Sequence, residues 1–344
     1  MLGALEGVRA GVTCFGDIGR YGKAGFEALK KTGLRGVVFQ ETEFSPYNEN
    51  AEVDFAKLEE KFLALQSDET KLVKAGISPH APYTVSQKLF ENITDYALNH
   101  KIKLSIHAAE SHLEEELMLH NQGAMADFYR EREIRWTPPG KSSIEYIAEI
   151  GVLQAKPLLA HCIRTSEKDW ELIKESGSSI AHCPKSNAKF GHRNAPLEKF
   201  LDFGLRVGLG SDSVASNNNC DLLEEARFAN LFARSREDNN RLLTAKETLE
   251  MMTLGGAKAM QLEDEIGTLE VGKQADLVVI SLKNIAQQPI HDIYSSLLFA
   301  TTSREVISTI VAGNEIYREG ETKTIDEKEL KNEVKRVARK MQEG

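Results

Sequence analysis

Short, nearly continuous apolar runs alternate with longer amphipathic stretches through the first 213 residues, and this alternation narrows the possible folds more than any other feature. The runs at 11–18, 35–40, 73–80, 104–110, 157–162, 178–184 and 206–213 have the length and composition of strands. Between them, 22–32, 53–66, 86–100, 112–129, 142–150, 166–176 and 195–203 repeat apolar residues at helical spacing. Strands that are apolar on both faces and separated by helices belong to a parallel sheet covered by those helices. Seven such strands are one short of a closed (β/α)8 barrel. Residues 2–10 read as the end of a helix feeding the first run. The expected architecture is therefore α/β, a TIM-like (β/α)8 barrel lacking its first strand.

The pattern changes after residue 213. Helical stretches at 220–235 and 244–260 come first. Residues 266–281 (IGTLEVGKQADLVVIS) then read as turns around a short strand pair, with 275–281 the stronger strand. Residues 305–320 read as a hairpin turning at Ala312-Gly313-Asn314. These strands come too late for the barrel. The expected organisation is a barrel over 1–262, part of a small β-sandwich domain over 263–322, and a charged helical tail over 323–344 whose mixed charges suit a solvated face.

The ends of the strands carry the chemistry. The run 73–80 ends on His80, 104–110 carries His107 and Glu110, 157–162 carries His161, 178–184 carries His182, and 206–213 carries Asp212. One histidine at a strand end is ordinarily a satisfied core or surface residue. Five consecutive strands ending this way share one place, because the C-terminal edges of a barrel converge on the mouth where active sites sit. Imidazoles and a carboxylate there suit Zn2+ or Fe2+ and metal-assisted hydrolysis, in which the metal acidifies water at neutral pH. A carboxylate off the metal can then carry protons. Taken alone, Asp212 in Gly-Ser-Asp-Ser would serve equally well as a helix N-cap; its place on the last barrel strand favours the metal. His112 and His120 fall in a charged helix, His192 in a polar loop, and His100 and His291 read as surface residues.

Composition removes other classes. A net charge of -9 is the wrong sign for a general nucleic-acid or anionic-membrane binder. No apolar run approaches the ~20 residues needed to span a bilayer, and the N-terminus has neither the basic nor the apolar region of a signal peptide. Cys14, Cys162, Cys183 and Cys220 are scattered and form no C-x-x-C pair, as expected of a cytoplasmic protein with reduced thiols. There is no G-x-G-x-x-G after a strand, no G-x-S-x-G and no P-C-x-x-C. A two-carboxylate glycosidase fits poorly, because the polar strand ends are mainly histidine.

The segments SIHAAES (105–111), LLAHC (158–162), GLGSDSVASNNNCDLLEEAR (208–227), SPHAPYTVS (78–86), HCPKSNAKF (182–190) and IGTLEVGKQADLVV (266–279) together resemble the amidohydrolase superfamily. Within it they look like the branch of purine and N-heterocycle deaminases and s-triazine hydrolases. The resemblance implies a metal-dependent hydrolase that deaminates an aromatic N-heterocycle. An adenosine-like nucleoside of the methylthioadenosine, adenosylhomocysteine or aminofutalosine type comes first. It implies His107 and Asp212 as metal ligands, with Asp212 also taking a proton from water. Glu110 becomes the proton shuttle of H-x-x-E, and His161 the residue beside the attacking water or departing group. His80, Trp136, His182, Asn187 and Glu110 become the substrate-facing set. The cofactor implied is one divalent metal, Zn2+ ahead of Fe2+. The partner implied is a small heterocycle, and a homo-oligomer is compatible with the branch.

The chain departs from that pattern in one respect. The branch holds its metal with two histidines of an H-x-H on the first strand, and this sequence has no H-x-H; its first histidine is His80. The expectation is an N-terminally truncated member with little activity by itself. The alternatives are a guanine or cytosine deaminase or triazine chlorohydrolase, and, from another class, a non-catalytic pseudoenzyme or fragment.

Overall fold

The alternation resolves into seven parallel strands in the computed structural model, which describes residues 1–236 and 241–343. They are β1 (Cys14–Gly19), β2 (Arg35–Glu41), β3 (Val73–Ser78), β4 (Ser105–Ala108), β5 (Leu158–His161), β6 (Ser179–His182) and β7 (Arg206–Leu209). Two hydrogen-bonded sheets result, β1-β2-β3 and β4-β5-β6-β7, each ordered as in the sequence. They meet between β3 and β4 at one bridge, Ile77 to Leu104. There the Ile77 amide donates to the Lys103 carbonyl at 3.0 Å, and the His107 amide to the His80 carbonyl at 2.9 Å. Sequential parallel strands with helical crossovers are what the apolar runs implied, and they are consistent with the wall of a barrel.

Burial follows sheet position. β2 pairs on both sides and is buried along its whole length, whereas β1 is only half-buried. Among the described residues, β1 and β7 each keep one edge without a strand partner. Between them lies an apolar cleft of about 400 Å³ lined by Val12, Gly16, Leu209, Met260 and Val278. The main core, with Phe62, Ile77, Phe90, Ile106, Leu159, Ile180 and Phe200, lies between the strands and their covering helices.

Local chemistry starts and stops the helices. Ser86, Ser142 and Ser166 cap the helices Gln87–His100, Ser143–Glu149 and Glu167–Ser176, the last two through reciprocal capping boxes with Glu145 and Asp169. The single helix expected over 112–129 is two, His112–His120 and Gly123–Glu131. Asn121 (φ 53°) takes the left-handed conformation that ends the first helix, and Gly123 (φ 80°) opens the second. The stretch 244–260 stays helical but contains a π-turn at Met251–Gly255. Gly255 lets it lie against β7, since a Cβ there would come 2.5 Å from the Val207 carbonyl oxygen.

The later strands are β8 (Leu277–Ile280), β9 (Val306–Val311), β10 (Asn314–Arg318) and β11 (Glu321–Thr322), an antiparallel sheet ordered β11-β10-β9-β8. The hairpin turns on Ala312 and Gly313, both at positive φ, as a two-residue turn between twisted strands requires. The strand pair expected within 266–281 is one strand, β8, which pairs with β9 instead. Gly267 and Gly272, both at φ 98°, turn the preceding segment away and leave Leu269 and Val271 exposed. Among the described residues this region supplies one four-stranded sheet, and no second sheet packs on it as in a sandwich. It rests on the helix Leu2–Arg9 and on Phe26 and Leu29 of the helix Gly22–Thr32. Arg35, at the start of β2, forms a forked ion pair with Asp276 beside β8, at 2.7 and 3.0 Å. The helix Glu327–Glu343 carries the charged tail, and Gly344 and residues 237–240 lie outside the described residues. Among the described residues, no helix is long and apolar enough to cross a membrane.

Candidate active site

The strand ends gather five of the candidate residues in one row. His80 follows β3, His107 lies in β4, Glu110 follows β4, and His161 and His182 end β5 and β6. The His80 and His107 ring centroids are 5.1 Å apart, and those of His107 and His161 are 5.7 Å apart and stacked. Glu110 Oε1 lies 3.7 Å from His161 Nε2. Asp212, just beyond β7, is close enough for its charge to act on His107.

Hydrogen bonds fix which nitrogen of each ring carries the proton. Thr84 Oγ1 gives its own hydrogen to the Ala81 carbonyl, so His80 Nδ1–H, 2.8 Å away, must donate to it. His107 Nδ1 lies 3.1 Å from the His80 carbonyl, which can only accept. His161 Nδ1 lies 2.9 Å from Asn187 Oδ1. All three imidazoles are thus anchored through Nδ1–H and keep a lone pair on Nε2, the arrangement that presents a histidine to a metal or to a proton donor.

Burial sets the charge states. His80 is pushed down to about 3 by burial and by the neighbouring His107, and His182 to about 3 by burial and His161. Burial also holds His107 below its ordinary value, helped by His161. These rings are neutral at pH 7 and can act as ligands or acceptors. For Asp212, burial works upward. The field of His161 and hydrogen bonds from Ser186 Oγ (2.5 Å), the Ser213 amide (2.6 Å) and Ser216 Oγ (2.9 Å) outweigh it, so the carboxylate is held below its usual range.

The loop after β4 is held by a residue the strand pattern did not single out. Buried Glu114 accepts from the amides of Ala109 and Glu110, both at 2.8 Å, and from Ser143 Oγ. This clamps the turn that aims Glu110. Ala109 (φ 54°), His161 (φ 75°) and Asp212 (φ 58°) all sit in left-handed backbone at strand ends. Such non-glycine conformations cost of order 1 kcal/mol or more each and gather where geometry serves function.

Other sequence-derived residues fall as follows. Asn187 is fully buried and orients His161, and its Nδ2 has no hydrogen-bond partner among the described residues. Trp136 lies farther out, packed edge-on against Tyr129, whose hydroxyl donates to the Tyr83 carbonyl beside His80. Two residues join the site that the sequence pattern missed. His192 Nε2 stands 3.7 Å from Glu110 Oε1, and nothing in its polar loop signalled this. Glu41, the last residue of β2, places Oε1 3.9 Å from His107 Nδ1. Burial pushes Glu41 up to about 7 against the pull of Arg20. It follows the same rule as the other strand ends, and the apolar run had been closed one residue too early to include it.

One donor atom each from Glu41, His80 and His107 lie within 4.8 Å of one another, and they are the group with metal-ligand chemistry found among the described residues. His107 is common to this group and to the expected pair His107–Asp212. That pair alone is two donors short of a tetrahedral site. A neutral, anchored imidazole at the centre of several oxygen and nitrogen donors fits a divalent cation. A cleft of about 790 Å³ lined by Ala109, Ser143, Ile163, Arg164 and Trp170 runs beside Glu110 without including any of these donors.

Residues 1–316 match the model of the Amidohydrolase family. A 5-methylthioadenosine/S-adenosylhomocysteine deaminase from Thermodesulfovibrio yellowstonii is 31% identical over 331 residues, which cover 96% of this chain and 71% of that protein. Among solved structures, an adenosine deaminase from Xanthomonas campestris with bound zinc superposes with a TM-score of 0.85 at 25% identity, covering 100% of this chain and 74% of that one. Atrazine chlorohydrolase from Arthrobacter aurescens, complexed with zinc, superposes at 0.81 with 21% identity, covering 98% and 75%, and speaks for the fold alone. The family model over residues 1–316 and a relative 31% identical over 96% of the chain agree: this chain is a member of the amidohydrolase family.

Proposed function

We propose that the chain is a metal-dependent aminohydrolase of aromatic N-heterocycles, with an adenosine-like nucleoside as substrate. The observation that carries this is Glu110, set by Glu114 and standing 3.7 Å from both His161 and His192 beside the neutral ring of His107. The deaminases among the similar proteins support the substrate class.

The overall change adds water across a ring carbon–nitrogen bond and expels ammonia, leaving a carbonyl. His107 and Asp212 would hold the divalent metal, Zn2+ ahead of Fe2+, whose chemistry is to acidify water near pH 7. Glu110 delivers a proton to the ring nitrogen, so the adjacent carbon becomes electrophilic. Asp212, held ionised, takes a proton from the attacking water and passes it to the departing amine, which leaves as ammonia, while the carbonyl forms as Glu110 takes back the remaining hydroxyl proton. His161, its Nδ1–H fixed on Asn187, offers Nε2 to the tetrahedral carbon's oxygen or departing amine. His80, His182, Trp136 and Asn187 line or support the heterocycle's space. None of the nine histidines forms an H-x-H, so low activity is expected of these 344 residues unless two further ligands are supplied.

The test is ammonia release from adenosine, methylthioadenosine, adenosylhomocysteine, guanine and cytosine, with added Zn2+ or Fe2+, beside Glu110→Gln. Release from the adenosine-like group, reduced at least about 100-fold in the variant, supports the reading. Release from guanine or cytosine alone moves the chain to the alternative deaminases. No release from any of them leaves the non-catalytic reading.

A further inference from the structure

We propose that the helix Glu327–Glu343 pairs with the same helix of a second copy of this chain, end for end, as a short antiparallel coiled coil. Leu330, Val334, Val337 and Met341 are its large apolar residues. Their spacing of four, three and four residues sets them in one stripe, the seam of a left-handed helix pair. Val337 and Met341 are 43% and 80% exposed, and Leu330 and Val334 are half-buried. Glu327 is held by Arg9 at 2.6 Å and by Thr322 at 3.2 Å. Beyond it, among the described residues, no hydrogen bond or ion pair ties the helix to the body of the molecule. An isolated helix of this length has little stability of its own, and most helices gain it by packing an amphipathic face.

Two properties select a second copy as the occupant of that face. The stripe is symmetric about its centre. A copy turned end for end therefore sets Leu330 on the partner's Met341 and Val334 on the partner's Val337, the self-complementary contact of a closed twofold dimer. The charges favour the same direction. Three of the five charged residues before Val334 are acidic, whereas Lys335, Arg336, Arg339 and Lys340, between Val334 and Met341, are all basic. A parallel pair sets those four against their own copies, and an antiparallel pair sets them over the acidic half. Glu333 and Lys340 precede Val334 and Met341 and flank the seam on one edge, where charges fix helix orientation. Each copy's Glu333 then faces the partner's Lys340. Glu333 already pairs with Arg336 of its own helix, an exposed contact that costs little to re-aim.

The experiment measures the molar mass of the full chain by sedimentation and light scattering from about 1 to 300 µM. Two helices of this length bury less than the roughly 1,200 Å² of a standard interface, so dimers are expected at tens of micromolar. Val337→Glu puts a charge in the seam and should weaken the dimer at least about tenfold. Glu333→Lys and Lys340→Glu should each weaken it, and the two together should restore it. Circular dichroism confirms that each variant is folded. Oxidation reads the direction, with the native chain as control for its own cysteines. A mixture of Leu330→Cys and Met341→Cys chains should form a disulfide-linked dimer. Neither chain alone should, because like positions lie about 16 Å apart along an antiparallel pair. A chain monomeric throughout, a dimer indifferent to Val337→Glu, or disulfides within each single-cysteine chain alone overturns the pairing. If the monomer instead binds phosphatidylserine vesicles through Val337, the stripe belongs to an anionic lipid surface. Val337 lies outside the strand-end row, so ammonia release and dimer formation are separate readouts and either can fail without the other.

Discussion

The ion pair between Arg35 and Asp276 is the fastening between the parallel strands and the later sheet, and breaking it should cost a calculable amount. Both side chains are almost fully buried, 4% and 2% exposed, and two hydrogen bonds join them. Asp276 also accepts from the Ala312 amide at 2.8 Å, tying down the β9–β10 hairpin. Replacing Asp276 with Leu leaves a guanidinium buried with only Glu265, half-exposed and 3.4 Å away, as a remaining partner. Stranding one member of a buried pair costs about 3–5 kcal/mol, and the residual Glu265 contact places this case at the lower end. Unfolding entropy of about 2.1 cal/mol/K per residue amounts to roughly 0.7 kcal/mol/K for 344 residues. The expected fall in melting temperature is therefore about 4–5 °C. In the double variant Arg35→Met/Asp276→Leu no charge is stranded, so most of the loss should be recovered, because paired apolar replacement is close to neutral. Calorimetry on the four proteins of the cycle measures both effects. A single-variant shift under about 1 °C, or a double-variant loss equal to the sum of the singles, would refute the reasoning.

Three further outcomes are expected. Asn187→Leu removes the acceptor that fixes His161 Nδ1–H, so kcat for ammonia release should fall about tenfold to a hundredfold while KM changes little; a change confined to KM would make Asn187 a substrate contact instead. Glu225 is buried beneath Asn217 and Lys185, and burial pushes it up to about 7 from 4.5 despite their hydrogen bonds. Because its folded value is the higher one, its contribution is whole below about pH 4.5 and is lost as pH rises through about 7, a difference of about 3 kcal/mol; thermal melts between pH 4.5 and 8.5 should show that slope, flattened in Glu225→Gln. Gly255→Ala forces a methyl against the Val207 carbonyl, so a loss of about 1–3 kcal/mol is expected in urea unfolding, and no loss would mean the π-turn can shift.

What the sequence made legible was periodicity and its consequences. Apolar runs between helical stretches placed all seven strands, and the rule that barrel chemistry sits at strand ends put His80, His107, Glu110, His161 and His182 in one row. What it could not show depended on contacts distant in the chain. Glu114 reads as one more charge on a helix, yet it holds the loop beneath Glu110. His192 lies in a loop without pattern and still reaches Glu110. Glu41 was lost to an error of one residue in closing an apolar run, the usual weak point of reading boundaries from composition. The strand pair expected near 270 failed because alternating Leu269 and Val271 look like strand residues, but two glycines turn their segment away from any partner.

The division of the parallel strands into two sheets bears on motion. Glu41 ends a strand of the three-strand sheet and His80 follows another, whereas His107 and His161 lie in the four-strand sheet and Glu110 and Asp212 just beyond its strands. Among the described residues, the narrow joint at Ile77–Leu104 and His80–His107 binds the halves edge to edge. Any change in the angle between the two sheets would act directly on the spacing of Glu41 Oε1 and His107 Nδ1, 3.9 Å as they stand. A ligand that grips both sides at once would staple them, and its binding should appear as slowed amide exchange at Ile77 and His107, the two amides that cross the joint.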